Sequence, residues 1–382
     1  MLEWLLGEGR HLALDALAEG LGRRLVAAGA PLDRLRLSMR TVHPLVTGRT
    51  AVWHRDRGLE PAGAAPHGLE RRDTYVNSPL AVIASTAAPF RRRLDRGLGT
   101  ADHYLLHDLA AEGMTDYLAL PLRFGEGGGR GALVAATRRA GGFDDGDLAK
   151  FGALALVLSP LLEVLRGQDV ARAVAEAYIG PRSGPRVLAG RIQRGDVERI
   201  EAAIWFSDLQ GWSRLANTLP PEEAVALANA YFEIVDAAIL AAGGEVLKLI
   251  GDAVLAIFTG PPQEACRAAL GAAAAAQAEA AAKAVTFRFG IGLNWGEVVM
   301  GNVGSPTRLD FTVMGQAVNL AARIEKLTRK LDRPVVCSAA LAEVSGLALD
   351  DLGRHPVAGW DEPVAIYAPS PSPGLERRSE GS

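Results

Sequence analysis

The feature that most constrains the fold is a pair of apolar runs separated by only two residues. The stretch Gly243–Thr259 reads GGEVLKLIGDAVLAIFT, with Val, Leu and Ile on both sides of Gly251 and Asp252. A glycine-containing pair between two such runs is typical of a β-hairpin, so Asp252 is predicted at the turn. Turn aspartates commonly just hydrogen-bond their own backbone. Lys248 is predicted in the incoming strand, where a lysine either extends to solvent or contacts a ligand.

Length, charge and cysteine content restrict the class of protein. The 382 residues suggest two globular domains, and the net charge of −3 argues against a nucleic-acid binder. Cys266 and Cys337 have no metal-ligand spacing, which fits a reducing cytoplasm. The first residues lack the basic start and long apolar core of a signal peptide. The apolar runs near Phe151 and after Cys266 are too short or too polar to span a membrane, so we expect a soluble, cytoplasmic protein.

Residues 1–165 are predicted to form a first domain. Leucines at 14, 17, 21 and 25 have the spacing of one helix face, and Arg34–Met39 alternates like a half-buried strand. Further on, Thr115–Leu122 and Gly131–Thr137 are predicted strands of a hairpin whose turn contains Gly127–Gly129. Gly142–Leu148 then opens a helix with acidic residues in its first turn.

This strand, glycine turn, strand and acidic helix start resembles the C-terminal half of GAF-type sensor domains. The resemblance covers about Thr115–Leu165. GAF domains either bind small molecules or only dimerise, so the resemblance implies a GAF-like sensor and leaves the question of a small-molecule ligand open.

His103 and His107 are the one candidate metal pair of this half. Residues four apart share a helix face, but no third ligand at a suggestive spacing accompanies them, which favours surface histidines. Leucines at 154, 158, 161 and 165 have the spacing of a coiled-coil seam, or of an internal helix of the sensor. Pro160 predicts either a kink or a new helix capped by Ser159. Residues 166–197 are predicted as a connector of two short helices and a turn.

The second domain is predicted to be an α+β unit that begins near Glu198. The apolar run Ala202–Phe206 is a buried strand that ends near Asp208, followed by a loop whose backbone N–H groups can cradle phosphates. A helix opens at Pro221 and leads into the hairpin. Strand, helix, hairpin, helix, strand is the ferredoxin-like order. In that order Asp208 and Asp252 can end on the same edge of the sheet, where two carboxylates can hold Mg²⁺.

Asn319 and Arg323 are i and i+4 on a predicted helix and therefore project from one face. An amide suits a sugar hydroxyl and a guanidinium suits a phosphate. A solvated helix face is the alternative for such a pair considered alone.

Together, these residues resemble the catalytic domain of class III nucleotidyl cyclases over about Glu198–Tyr367. The motifs are Phe206-Ser207-Asp208-Leu209-x-Gly211-Trp212, Lys248-x-x-Gly251-Asp252, and Thr312-Val313-Met314-Gly315-x-x-Val318-Asn319-Leu320-Ala321-Ala322-Arg323. They occur in the family's order and at its spacings.

The resemblance implies an adenylate cyclase that converts ATP to cyclic 3′,5′-AMP and pyrophosphate. It implies that Asp208 and Asp252 hold two Mg²⁺ or Mn²⁺ ions, that Lys248 and Thr312 read the purine, that Asn319 orients the ribose, and that Arg323 stabilises the transition state. It further implies substrate contacts from Phe206, Ser207, Leu209, Gln210 and Gly211. Lysine at the first purine-reading position is the adenylate cyclase choice, and Thr312 is typical of one of its subgroups. The family's sites lie between the two chains of a homodimer.

One position departs from the family's pattern. Where the family usually places a phosphate-binding lysine before a glycine, this chain has Ala358. Either Arg354 or another residue compensates, or ATP binds weakly. The alternative function is a catalytically weak or inactive cyclase that acts as a nucleotide or small-ligand sensor scaffold, although such relatives usually lose one metal aspartate. The predicted domains are 1–165 sensor, 166–197 connector, 198–369 cyclase and 370–382 disordered tail.

Overall fold

The computed structural model describes residues 1–44, 46–61, 63–125, 130–190, 193 and 195–370, without the side chain of Arg130. The chain divides into two compact units, Met1–Val174 and Ala175–Ser382. Both are mixed α/β. The predicted turn at Gly127–Gly129 lies outside the described residues, and so does the predicted tail apart from Ser370.

The first unit is built on one antiparallel sheet. The strand order is β3-β2-β1-β7-β6-β5, and β4 pairs with β2. The predicted opening helix and the predicted hairpin of β6 and β7 are confirmed. The elements are α1 (Leu2–Leu6), α2 (Leu14–Ala27), β1 (Arg34–Arg40), β2 (Val46–His54), β3 (Gly58–Leu59), β4 (Gly63–Pro66), α3 (Pro79–Thr86), β5 (Phe90–Arg93), α4 (Tyr104–Ala111), β6 (Asp116–Arg123), β7 (Arg130–Thr137) and α5 (Asp145–Ile179).

The alternation predicted for strand β1 is confirmed, because one face of the strand is fully buried. Leu35, Leu37 and Met39 belong to a core that includes buried residues of α2 and α5. Arg34, on the other face, is only 8% exposed. Arg36 and Ser38, also on that face, are half-buried and Arg40 is exposed, so the polar face is fully covered only at its first residue.

The long helix α5 corrects two predictions. It runs unbroken for 35 residues with Pro160 inside it, so no new helix starts there, and Ser159 donates its hydroxyl hydrogen to the Ala155 carbonyl at 2.8 Å. Leu158 and Leu162 are fully buried in the same core as Leu35 and Leu37 of β1, which is expected of an internal helix of this unit. Because the helix continues to Ile179, the prediction of two short helices before the turn is also wrong.

The two histidines of the candidate metal pair have other contacts. His103 caps the N-terminus of α4, where its Nδ1 accepts a hydrogen bond from the Leu105 amide at 3.2 Å. His107 Nε2 lies 3.2 Å from the Gly99 carbonyl oxygen. Neither contact depends on a metal.

The second unit has the predicted ferredoxin-like order at its centre. Its sheet runs β14-β15-β13-β11-β8-β10-β9, and β12 pairs with the far end of β11. Among the described strands of this sheet, only β11 and β13 pair in parallel. The elements are α6 (Ser183–Leu188), β8 (Val197–Leu209), α7 (Trp212–Thr218), α8 (Pro221–Ala241), β9 (Glu245–Ile250), β10 (Ala253–Phe258), α9 (Pro262–Ala282), β11 (Phe289–Ser305), β12 (Arg308–Met314), α10 (Gln316–Glu325), α11 (Leu327–Lys330), β13 (Val335–Ser338), α12 (Ala339–Ser345), β14 (Asp350–His355) and β15 (Val364–Ala368).

Successive residues of β8 serve two different cores. Ala203, Trp205 and Leu209 belong to the large core that α8 and α9 also line. Ala202 and Ile204 belong to the core against α10. This alternation, which follows from the two-residue period of a strand, decides which side chains at the end of β8 are free to meet a ligand.

Two helices of the described chain, α5 and α8, are long and apolar enough to cross a membrane by length and composition alone. Tyr231, Ile234, Val235 and Ile239 of α8 are buried in the large core. Core helices of soluble proteins pass the same test, so this finding is weak evidence for a membrane span.

Helix α10 packs unusually close to β11 because Gly292 has no side chain. A Cβ atom built on Gly292 would lie 2.5 Å from the Ala321 carbonyl oxygen and 2.6 Å from the Glu325 amide nitrogen. Both are backbone atoms, so the clash can be relieved only by moving the helix.

We therefore expect Gly292→Ala to destabilise the second unit by about 1–3 kcal/mol, the usual cost of overpacking. The matched control is Gly271→Ala in α9, where an added Cβ meets nothing within 4 Å. That change should be neutral or stabilising by about 0.5–1 kcal/mol. Urea unfolding of the two variants measures the difference, and equal midpoints would show that α10 is not held by this contact.

Candidate active site

Asp208 and Asp252 lie side by side at one edge of the second sheet. Asp208 is the penultimate residue of β8, and it pairs with Ala253 of β10 and with Gly290 of β11. Asp252 immediately precedes Ala253 in the two-residue turn between β9 and β10, where Gly251 has a φ of 65°. The predicted hairpin is thus confirmed, and its register places the two carboxyl groups close enough for Asp252 to raise the pKa of Asp208.

The surroundings of Asp208 disfavour its negative charge. Burial, the hydrogen bond with Asp252 and the charge of Asp252 together raise the pKa of Asp208 to about 7. Its Oδ1 atom is buried and has no hydrogen-bond partner among the described residues. A buried acceptor without a partner is costly, so this oxygen is suited to a ligand that supplies positive charge.

A third carboxyl group, which the sequence analysis missed, contributes to this negative field. Burial raises the pKa of Glu325, at the end of α10, to about 7, although Lys326 and Arg329 act in the opposite direction. Its charge also raises the pKa of Asp208. A Cβ atom on Gly290, the β11 partner of Asp208, would lie 2.6 Å from Glu325 Oε1. The glycine therefore leaves room for Glu325 near the two aspartates.

These carboxyl groups fit a divalent cation with oxygen ligands. Within the described part of the chain, no group of three or more His, Cys, Asp or Glu residues could hold a metal ion by itself. Mg²⁺ is usually bound through one or two carboxylates, with waters and substrate phosphates completing its shell. The pair Asp208 and Asp252, with the unpartnered Oδ1, matches that mode of binding.

Two of the predicted substrate-binding residues, at the end of β8, have side chains that face the core. Ser207 is fully buried; its Oγ accepts a hydrogen bond from Trp205 Nε1 at 2.9 Å and lies 2.7 Å from the hydroxyl of Tyr231. Leu209 is 3% exposed and belongs to the same core. Both residues point to the face opposite Asp208, because side chains alternate along a strand. Their side chains are therefore structural.

The other three predicted substrate-binding residues, at the end of β8 and in the loop after it, are more accessible. Phe206 is half-buried against the core that faces α10. Gln210 is half-buried, and its backbone N–H donates a hydrogen bond to the Arg288 carbonyl oxygen at 2.8 Å. Gly211 is exposed and forms the N-cap of α7 with a φ of 78°. The loop therefore leads into a helix N-terminus, as the sequence predicts.

Lys248 forms an ion pair that the sequence analysis did not anticipate. Its Nζ lies 2.6 Å from Asp310 Oδ2, and this contact lowers the pKa of Asp310. Both residues line a cavity of about 900 Å³ in the second unit, together with Phe232 and Asp236 of α8. Thr312, the second predicted purine reader, lies two residues after Asp310 in β12 and is 9% exposed.

The predicted site residues do not all converge within the chain. Asn319 and Arg323 are exposed on α10, as their i, i+4 spacing predicts. The cavity that contains Lys248 is lined by none of Asp208, Asp252, Asn319 or Arg323. Ala358 is exposed in the turn between β14 and β15. Arg354, near this turn, has its Nη2 atom 3.9 Å from Glu362 Oε2. The two aspartates thus do not line the cavity that contains Lys248, the predicted purine reader.

Residues 197–363 match the family of adenylate and guanylate cyclase catalytic domains. This segment, which contains the paired aspartates, is therefore a class III nucleotidyl cyclase catalytic domain. Among curated relatives, an uncharacterised protein of Mycobacterium tuberculosis is 30% identical over an alignment of 385 residues, which covers 97% of this chain and 64% of that protein. An adenylate cyclase of Anabaena cylindrica is 33% identical over an alignment of 191 residues, which covers 46% of this chain and 38% of that enzyme.

The chain thus spans between 38% and 64% of the length of these curated relatives. A solved structure of a bacterial light-regulated adenylyl cyclase is 22% identical and covers 88% of this chain and 93% of its own, with a TM-score of 0.50. At that identity, the likeness shows the fold alone.

The paired carboxyl groups predict a pH-dependent stability in metal-free protein. Folded Asp208 keeps its proton up to a pH of about 7, whereas an aspartate in an unfolded chain loses it near about pH 3.9. The free energy of unfolding should therefore fall as pH rises between about 4 and 7. Asp208→Asn should flatten this slope, whereas Asp361→Asn, at an exposed position, should not.

Urea unfolding in EDTA across this pH range provides the measurement. An identical slope for wild-type protein and Asp208→Asn would contradict the raised pKa.

Proposed function

We propose that this chain is an adenylate cyclase that converts ATP to cyclic 3′,5′-AMP and pyrophosphate as a cytoplasmic homodimer. The observation that carries the proposal is the pair Asp208 and Asp252, with one unpartnered buried oxygen, at the sheet edge of a cyclase catalytic domain. The adenylate cyclase of Anabaena cylindrica, similar over 191 residues, supports ATP as the substrate.

Asp208 and Asp252 would hold two Mg²⁺ or Mn²⁺ ions. When bound, such ions lower the pKa of the ribose 3′-hydroxyl and neutralise charge on the triphosphate. The carboxylates fix this positive charge at the end of β8, and Glu325 strengthens the negative field that attracts it. The reaction is attack of the ribose 3′-oxygen on the α-phosphorus, with pyrophosphate as the leaving group.

The other residues bind and orient the nucleotide. Asn319 orients the ribose so that its 3′-oxygen faces the α-phosphorus. Arg323 supplies a fixed positive group for the charge that develops on the phosphoryl oxygens. A phosphate contact is assigned to the backbone N–H of Gly211, because N–H groups at a helix N-terminus lack helical partners, and Gln210, whose N–H donates to the Arg288 carbonyl, holds the loop in place. Ser207 and Leu209 support this loop from the core.

Base selection is assigned to Lys248, Asp310 and Thr312. Adenine offers an acceptor at N1 and a donor at its 6-amino group, whereas guanine offers a donor at N1 and an acceptor at O6. The ammonium of Lys248 matches adenine N1. The ion pair with Asp310, at 2.6 Å, holds that ammonium in the cavity and adds an acceptor beside it. A site with paired donors and acceptors rejects a base whose edge leaves them unpaired.

The first unit is assigned a regulatory role as a GAF-like sensor, with residues 1–165 as sensor, 166–197 as connector and 198–369 as the catalytic domain. The support is the antiparallel sheet with its β6–β7 hairpin and the following helix α5. Changes in the sensor would reach the catalytic domain through the connector.

Ala358 favours a second candidate function, a catalytically weak cyclase that acts as a nucleotide-sensing scaffold. The position is exposed and has no positive charge, and nearby Arg354 is close to Glu362. Nucleotide binding without detectable cyclisation would support this candidate.

The test of the proposed function is cyclic nucleotide formation by the purified chain with Mg²⁺ or Mn²⁺. We expect cyclic AMP from ATP and much less cyclic GMP from GTP. Asp252→Asn should lower turnover by about 100-fold or more, because it removes one of the two carboxylates that would hold the metal ions. Asp361→Asn is the matched control at an exposed position. Near-normal turnover of Asp252→Asn at saturating Mg²⁺ would refute the metal assignment, and a preference for GTP would refute the adenine assignment.

The separation of Lys248 from the aspartates supports composite sites in a two-fold dimer, with the aspartates from one chain and Lys248, Thr312, Asn319 and Arg323 from the other. Neither Asp208→Ala nor Arg323→Ala protein should then be active alone. After subunit exchange, each mixed dimer has one site with both lesions and one with neither. Since about half of the dimers are mixed, activity should recover to roughly a quarter of wild type.

Subunit exchange is verified with differently tagged chains before activity is measured. Complete absence of recovery in verified mixed dimers would mean that each site is built within one chain.

A further inference from the structure

The first unit contains a cavity of about 110 Å³. It lies beside β1 and β2, with β4 and α3 also contributing to its walls. All of its lining residues belong to Met1–Val174. The volume is sufficient for a small molecule of several non-hydrogen atoms, since about 10–15 Å³ by this measure holds one water.

Arg36 of β1 lines this cavity with a guanidinium group that is incompletely paired. Its Nε is buried and has no hydrogen-bond partner among the described residues. Its Nη2 reaches Thr50 Oγ1 only at 3.4 Å, which is a weak contact. Burial lowers the pKa of Arg36. A desolvated guanidinium with an unsatisfied donor is costly unless a ligand or a charge partner completes it.

The neighbouring charges do not supply that partner. Arg40 and Arg49 also line the cavity, but Arg40 pairs with Glu70 at 2.8 Å and Arg49 lies 3.7 Å from Asp169. Glu70 is the one acidic residue among the cavity's described lining residues. Arg34, on the same face of β1, adds further positive charge near Arg36. The cavity is therefore electropositive at Arg36.

The remaining walls are mainly apolar and hydroxylated. Leu80, Ile83 and Ala84 contribute apolar surface from α3, and Ser38 and Tyr75 contribute hydroxyl groups. A guanidinium can bind a carboxylate through two parallel hydrogen bonds. Apolar walls favour a ligand that also carries a short hydrocarbon part.

We propose that this cavity is a binding site for a small organic carboxylate, with the carboxylate on Arg36 and the hydrocarbon part against α3. The site lies wholly in the first unit, so the proposal does not depend on the cyclase reaction. It gives the sensor unit a class of ligand, namely a monocarboxylate of a few carbon atoms.

The test uses the full chain and a series of sodium carboxylates from acetate to hexanoate, with binding measured by calorimetric titration and by the shift in thermal unfolding. Butyramide is the neutral analogue of butyrate, and sodium phosphate tests for an inorganic anion. At least one carboxylate should bind and raise the unfolding temperature, at least tenfold more tightly than its amide. Binding by no carboxylate, equal binding by the amide, or binding by phosphate alone would overturn the proposal.

Three variants locate the site. Arg36→Gln should weaken carboxylate binding at least tenfold, and Arg23→Gln, which removes an exposed arginine of α2, should not. Without ligand, Arg36→Gln should unfold at the same temperature as wild type or higher, because it removes a poorly paired buried charge. Ala84→Phe, at a half-buried position of α3, should block the cavity while leaving Arg36 in place.

Unchanged binding in both Arg36→Gln and Ala84→Phe would overturn the proposal. A marked fall in the unfolding temperature of ligand-free Arg36→Gln, with binding unchanged in Ala84→Phe, would assign Arg36 a purely structural role instead.

Discussion

The catalytic domain depends on two carboxyl groups of like charge being held together at the end of β8. The pairing of Asp208 with Ala253 brings Asp252 alongside, and two central strands rather than a loop define the geometry. Neighbouring negative charges repel each other, and burial further disfavours the charged form of a carboxyl group. Both effects raise the pKa of Asp208. The rest of the fold tolerates this cost because large cores on both faces of the sheet hold the strands in register.

Much of the second unit's fold could be predicted from sequence, because its signals are local. The two-residue turn at Gly251 and Asp252 and the order of strands and helices both follow from short-range patterns. In the first unit, local patterns alone are not sufficient to predict the structure. The alternation of Arg34–Met39 identifies β1, but it cannot show that Arg34, on the polar face, is buried. Pro160 suggests a helix end, whereas packing of Leu158 and Leu162 in the core favours one continuous helix.

The residues of the candidate site can be predicted from the sequence to a similar extent, again where the signals are local. Asp208 and Asp252 were placed by the strand end and the turn. The motif predicts substrate contacts from Ser207 and Leu209, and the period of the strand already indicates that their side chains face the core, away from Asp208. Asp310 and Glu325 were missed because their contacts are between residues far apart in the chain, 62 positions in the case of Lys248 and Asp310. Only the folded sheet reveals such contacts.

The tight turn between β9 and β10 also limits how this segment can change in length. Lys248 and Asp252 are separated by three residues that include the end of a strand and half of a two-residue turn. One inserted residue in β9 would move every side chain beyond it to the opposite face of the sheet. The lysine and the aspartate would then no longer keep their relative orientation. Insertions and deletions should therefore be tolerated in the surface loops of this domain, whereas the span from Lys248 to Asp252 keeps a constant number of residues.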